Sequence, residues 1–236
     1  MNATLNIGQT IGDFRVEEFV KASNENGGET YFVSGRDGKK ALMKLYAVET
    51  KAHAIECGSA AMLQNLGFLP MVANGAIEHN GSSYQYIVRD YVEAKRLSDL
   101  IDEGKLYSWK QATTIVLQVL VALKHLHSQE PTIIHNDITT RNILIKEDEG
   151  DVKVFIIGMG HLSHRCNGRA NFCTKDLNNW YRAPETFKGI YDEQSDIFSV
   201  GALLHTMLEG FEPWGIASDA LGPDVDKNQL KHIRSV

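Results

Sequence analysis

The stretch IIHNDITTRNILI, residues 133–145, gathers an imidazole, a carboxylate and a carboxamide: His135, Asp137 and Asn142. Side chains of these types take up protons and hold cations. The apolar run Ile143-Leu144-Ile145 that follows reads as a buried strand, so the polar residues lie on a loop between buried elements. A second stretch, VKVFIIGMG at 152–160, carries Ile156 and Ile157 and no further carboxylate. The nearest acid, Asp151, precedes that strand. In HLSHRCNGRANFC, His161, His164, Cys166 and Cys173 are zinc-ligand types, but their spacing matches no common site and a flexible loop is the simpler reading.

The elements that must position these residues fall into two groups. The first third reads mainly as strands. FRVEEFV (14–20) alternates apolar and polar residues, TYFVS follows the turn residues NENGG (24–28), and Asp-Gly in RDGKK (36–40) signals a hairpin into the apolar strand ALMKLY. A helix is expected over about 50–66 with Gly67 as its stop, and YQYIVRDYV (84–92) as a further strand. The remainder reads as mainly helical. Ser108 and Gln111 make a capping-box pattern ahead of a run that puts Ile115, Val119, Ala122 and Leu126 on one face. A short strand at 143–145, the turn EDEGD, a strand at 152–157, an irregular stretch over 158–183 ending at Pro184, and a helix at about 195–209 closed by Gly210 complete the pattern. Strands followed by helices predict an α+β chain of two lobes, a β-rich one over about 12–92 and a mainly helical one over about 97–236, within a single domain spanning 1–236.

The 236 residues, 43% hydrophobic and 23% charged, suffice for a real core. A net charge of −6 argues against general nucleic-acid binding. No apolar run approaches the roughly 18 residues of a membrane span, and MNATLNIGQT lacks the pattern of a secretion signal. Three cysteines form no even framework, which suits a reducing, intracellular location, cytoplasmic or nuclear.

Taken in order and spacing, these stretches resemble the eukaryotic protein kinase superfamily over about residues 14–214. ALMKLY is similar to the strand bearing the ATP-contacting lysine, here Lys44. HNDITTRNIL resembles the catalytic loop, YRAPE (181–185) the end of the activation segment, and SDIFSVG (195–201) the buried helix whose Asp braces that loop. HAIECGSAAMLQ resembles the helix of the casein-kinase-one and vaccinia-related groups, with Glu56 as the lysine's partner; an alternative register puts Ser59 there. The tail is short for a kinase C-lobe, so the fold is expected to be either minimal or incomplete.

By this resemblance Lys44 would hold ATP phosphates and Glu56 would orient it; Asp137 would be the base and Asn142 a magnesium ligand. His135 reads as a structural core histidine. Asn136 replaces the usual Arg, so activation by a phosphate docking there is unavailable. Thr139 stands where serine/threonine kinases carry a lysine, and Arg141, placed as in the tyrosine-kinase loop, substitutes for that positive charge. Aligning Gly158 with the Gly of Asp-Phe-Gly puts Ile156 on the metal-binding Asp, and Ile156 has no oxygen to offer magnesium. The three glycines of the nucleotide loop fall on Ser23, Glu25 and Gly28, of which only Gly28 remains, and Glu25 would repel phosphate. Arg89 occupies the pocket's back wall, where it either pairs with Glu56 and displaces Lys44 or points outward.

The resemblance therefore implies a pseudokinase that works through a protein partner, an active kinase or another signalling protein, with ATP and magnesium as the only cofactor candidates and neither well served. The alternative is an atypical active kinase that phosphorylates Ser/Thr using Asp137 and Asn142. A small-molecule phosphotransferase shares the His-x-Asp pattern, but YRAPE and SDIFSVG argue against it.

Overall fold

The computed structural model describes residues 3–22, 28–47, 51–59, 63, 67–166, 169–170 and 180–213. The chain divides into two compact units, Met1–Glu93 and Ala94–Val236.

The first unit is built on strands β1 (Thr10–Ile11), β2 (Phe14–Ala22), β3 (Gly28–Gly35) and β4 (Lys40–Tyr46), helix α1 (Lys51–Ser59), and strands β5 (Met71–His79) and β6 (Ser82–Asp90). The strands form one antiparallel sheet in the order β1-β2-β3-β4-β6-β5. The Asp-Gly turn works as the sequence demands: Gly38 adopts φ 76°, and the Asp37 carboxylate accepts the Lys39 N–H at 3.1 Å. Alternation along β3, β4 and β6 sends Tyr31, Val33, Met43, Leu45 and Val88 into one buried cluster, and Lys44 to the other side of the sheet.

Residues ahead of β1 complete that core. Leu5 is buried in the same cluster, and its N–H donates to the Tyr31 hydroxyl at 3.0 Å. The Thr4 N–H and hydroxyl donate to Glu29 at 2.9 and 3.0 Å. Burial and the neighbouring Glu29, which accepts from its hydroxyl, raise the Tyr31 pKa.

Strand β5 was not legible. Its Asn74-Gly75 pair looks like turn chemistry, yet the segment pairs with β6 along its length. Gly75 is needed because a Cβ there would come within 2.8 Å of the Tyr86 hydroxyl. The expected helix over 50–66 is described over Lys51–Ser59, and most of its second half lies outside the described residues.

The second unit contains β7 (Lys95–Arg96), α2 (Leu97–Asp102), α3 (Trp109–His127), β8 (Ile133–Ile134), β9 (Ile143–Asp148), β10 (Asp151–Ile156), β11 (Ser163–Cys166), β12 (Arg169–Ala170) and α4 (Glu193–Glu209). Together the two units are the α+β, two-lobed fold that the pattern predicts, β-rich first and carrying its long helices second. Helix α3 starts at the Ser108–Gln111 capping box and buries Ile115, Val119, Ala122 and Leu126. Helix α4 begins two residues earlier than predicted, because Asp192 and Ser195 cap each other reciprocally, and ends at Gly210 with φ 80°. Strands order as β10-β9-β7 and β12-β11-β8, so the stretch predicted to be irregular contains strands at 163–166 and 169–170. Among the described residues no helix is long and apolar enough to cross a membrane.

Ser108→Ala removes the acceptor for the Gln111 N–H. It is expected to cost about 1 kcal/mol in urea unfolding, with an unchanged denaturant slope.

Candidate functional site

In the first unit, Lys44 on β4, Glu56 on α1 and Arg89 on β6 meet. Glu56 is 1% exposed. Its Oε1 accepts from Lys44 Nζ at 3.0 Å and from the Tyr46 hydroxyl at 3.4 Å. Its Oε2 accepts from Arg89 Nη2 at 3.2 Å and Nε at 3.4 Å, while Arg89 Nη1 donates to the Leu69 carbonyl at 2.9 Å. Arg89 thus turns inward and joins Lys44 on the carboxylate; it does not displace it. Glu56, rather than Ser59, meets the lysine. Burial pushes the Glu56 carboxyl up, but Lys44 and Arg89 outweigh it and hold it below the usual carboxylate range. Burial, then the Glu56 charge, raises Tyr46.

Gly28 opens β3 opposite Tyr46. A Cβ there would lie 3.3 Å from the Leu45 carbonyl and 3.5 Å from the Tyr46 ring, so packing alone gives this glycine a reason. Ser23 and Glu25, the other two loop positions, lie outside the described residues.

In the second unit, the loop carrying Asp137 is held from below by Asp196 on α4. Asp196 is 1% exposed and accepts the N–H groups of His135 at 2.8 Å and Asn136 at 2.9 Å. His127 Nε2 lies 2.8 Å from it as well. These bonds turn the backbone at Asn136 to φ 65°, a conformation that Asn tolerates better than most residues. The Asn136 amide then donates to the His161 carbonyl at 2.9 Å and the Ser163 hydroxyl at 2.8 Å. This tie between the loop and the start of β11 was not read from the sequence. The only signal for it was an Asn at a position that a buried neighbour forces into the left-handed region.

His135 is fully buried and its Nδ1 accepts the Asp137 N–H at 3.2 Å. Burial pushes its pKa down to about 4, against the pull of Asp196. The ring is neutral near pH 7 and orders the loop.

Asn142 Nδ2 donates to the Asp137 carbonyl at 2.8 Å and to its carboxylate Oδ2 at 2.6 Å. Gly158, at φ 85°, leaves room for it: a Cβ there would fall 2.6 Å from the Asn142 side chain. Asp137, Asn142 and Gly158 are therefore brought together. Ile156 pairs with Ile143 and is 1% exposed. Arg141 is exposed in the middle of a short 3-10 turn, Thr140–Asn142. Its charge acts on Glu212, whose carboxyl is raised by burial against the pull of Arg141. Thr140 and Thr206 hydrogen-bond the Tyr181 hydroxyl at 3.2 Å each, linking the loop to YRAPE and α4.

These residues offer magnesium one ligand fewer than the resemblance calls for. A hard cation needs several oxygen ligands. Asn142 Nδ2 is engaged by Asp137, which leaves the Oδ1 carbonyl oxygen as a candidate ligand, while Ile156, at the position the resemblance gives to the second ligand, presents only carbon. Among the described residues no group of three or more His, Cys, Asp or Glu could hold a metal ion. Cys173 and the side chain of Cys166 lie outside them.

With this geometry in place, comparison with known proteins gives the family. The family model of the protein kinase domain matches residues 37–235, and the chain belongs to that family. Calcium-dependent protein kinase 5 of Plasmodium falciparum is 25% identical over 219 residues, 92% of this chain and 38% of that protein. Ribosomal protein S6 kinase alpha-2 of Homo sapiens is 27% identical over 199 residues, 83% of this chain and 26% of that protein. Ribosomal protein S6 kinase 2 alpha of Xenopus laevis is 32% identical over 133 residues, 55% of this chain and 18% of that protein. The chain thus spans 18–38% of the length of these relatives.

His135 predicts a pH dependence. Its folded-state pKa lies below the unfolded value of 6.5, so the unfolded state binds the proton first. The stability tied to neutral His135 is present above about pH 6.5 and is lost as pH falls towards 4, by roughly 3 kcal/mol in full. Urea unfolding of the parent protein is expected to weaken more steeply over that window than that of His135→Phe; parallel curves would reject the assignment.

Proposed function

We propose that this chain is a pseudokinase: a kinase-fold module that acts by binding a protein, an active kinase or another signalling protein, and that transfers little or no phosphate. The observation that carries the reading is the buried Ile156 side chain at the position where the family holds magnesium with a carboxylate. Phosphoryl transfer depends on positioning and on neutralising the phosphate charge. A hydrocarbon at that point leaves the charge uncompensated however well the neighbouring groups are placed.

The preserved pieces favour a second reading, an atypical kinase that phosphorylates Ser or Thr. Lys44 reaches Glu56, and Asp137 and Asn142 lie together beside Gly158. In that reading Asp137 would take the acceptor proton, Lys44 would hold phosphate, and exposed Arg141 would add positive charge near the acceptor. The first reading stands ahead of it because geometry with an isoleucine in place of a metal-binding carboxylate supplies only part of what transfer needs.

Subgroup affinity rests on HAIECGSAAMLQ alone, while the relatives above carry calcium-dependent and ribosomal S6 names, so the proposal stays at the level of the family. An intracellular location fits the odd number of cysteines.

Radiolabel transfer with magnesium or manganese is expected at background level and unchanged by Asp137→Ala. Thermal-shift titration with ATP is expected to show no added stabilisation from magnesium, and Ile156→Asp to introduce it. Robust transfer that disappears in Asp137→Ala would establish the second reading instead.

A further inference from the structure

The buried carboxylate of Glu56 has two cations, and they are not equivalent. Lys44 makes one bond, to Oε1, and its side chain is 40% exposed. Arg89 is 11% exposed, places Nε and Nη2 on Oε2, and uses Nη1 on the Leu69 carbonyl. Its planar fork therefore joins three pieces of chain: β6, helix α1 and the segment ahead of β5. The guanidinium is always charged and keeps this geometry with little freedom to lose, whereas an ammonium on a flexible stem serves as a point charge.

Removing each partner in turn has different results. Without Lys44, Glu56 still faces a charged donor pair, and only a half-exposed amine is gone. Without Arg89, Oε2 and the Leu69 carbonyl both lose their donors inside the unit, and Lys44 is left as the one charged partner for both oxygens. A buried carboxylate left short of donors is the costlier state.

We propose that Arg89 is the positioning residue for Glu56, and that it seats helix α1 independently of Lys44. Two cations on one carboxylate also leave the cluster one positive charge in excess. Lys44 is thereby the shared partner, with its amine available to an anion while the helix stays in place. The inference rests on the geometry of the first unit alone and holds whether or not phosphate is transferred.

The test compares the parent protein with Lys44→Met, Arg89→Met and Arg89→Lys. Hydrogen exchange over residues 51–59 is expected to change by no more than about twofold in Lys44→Met and to rise about a hundredfold or more in Arg89→Met, the size expected when a buried charge loses its partner. Arg89→Lys is expected to fall between them, since an ammonium cannot fork across Glu56 and Leu69 together. A second measurement reads Lys44 itself: acylation of its amine by acetic anhydride is expected to slow several-fold in Arg89→Met, where the amine is drawn fully onto Glu56. A general loosening would speed that reaction. If Arg89→Met does not fold, Arg89→Gln, which keeps a donor for Leu69, takes its place. Equal loss of protection in Lys44→Met and the Arg89 variants, or loss in Lys44→Met alone, overturns the proposal. So does unchanged protection with unchanged acylation when Arg89 is replaced. Failure here leaves the transfer and magnesium experiments unaffected, because those read Ile156 and Asp137.

Discussion

A carboxylate taken out of water has to be surrounded by donors, and this one requirement organises both units. Glu56 and Asp196 are each 1% exposed and each sit on a helix. Isolated, either would cost several kcal/mol. Each instead draws its donors from separate stretches of chain. Glu56 collects a lysine from β4, an arginine from β6 and a tyrosine hydroxyl. Asp196 collects two successive backbone N–H groups from the loop and an imidazole from the end of α3. In both cases the acid fixes where neighbouring elements lie, and what can be placed on those elements follows from it.

The consequence for chemistry is a separation of geometry from charge. The loop keeps its shape because Asp196, neutral His135 and the small Gly158 hold it. Asp137 and Asn142 stay within hydrogen-bond reach of one another for the same reason. None of this requires a metal ligand at position 156, so an isoleucine there fits the strand and packs across from Ile143 without disturbing the loop. The shape of the loop is thus held by buried hydrogen bonds that do not depend on the side chain at position 156.

Features written in local pattern were readable from the sequence, and features set by long-range competition were not. The capping box at Ser108, the hairpin at Asp37-Gly38 and the stop at Gly210 each depend on a few adjacent residues and stand where expected. That Lys44 meets Glu56 followed from the resemblance, which left Ser59 open; the bond to Glu56 decides between them. Strand β5 escaped because Asn74-Gly75 imitates a turn, and its true reason, the Tyr86 side chain, comes from another strand. Helix α2, at six residues, is too short for periodicity to show. Arg89 could be read two ways, since whether it turned inward depended on Leu69 offering a carbonyl that no pattern reveals. The Asn136 link likewise needed the backbone angle that Asp196 imposes.

The placement of Leu5 bears on how the domain is delimited. Its side chain lies among the strands of the sheet, and the Thr4 and Leu5 backbone groups bond Glu29 and Tyr31 on β3. A boundary drawn at the first long strand, or at the first residue matched by the family, would cut through the hydrophobic interior instead of trimming a tail. The cloning start that preserves this lobe lies ahead of Thr4.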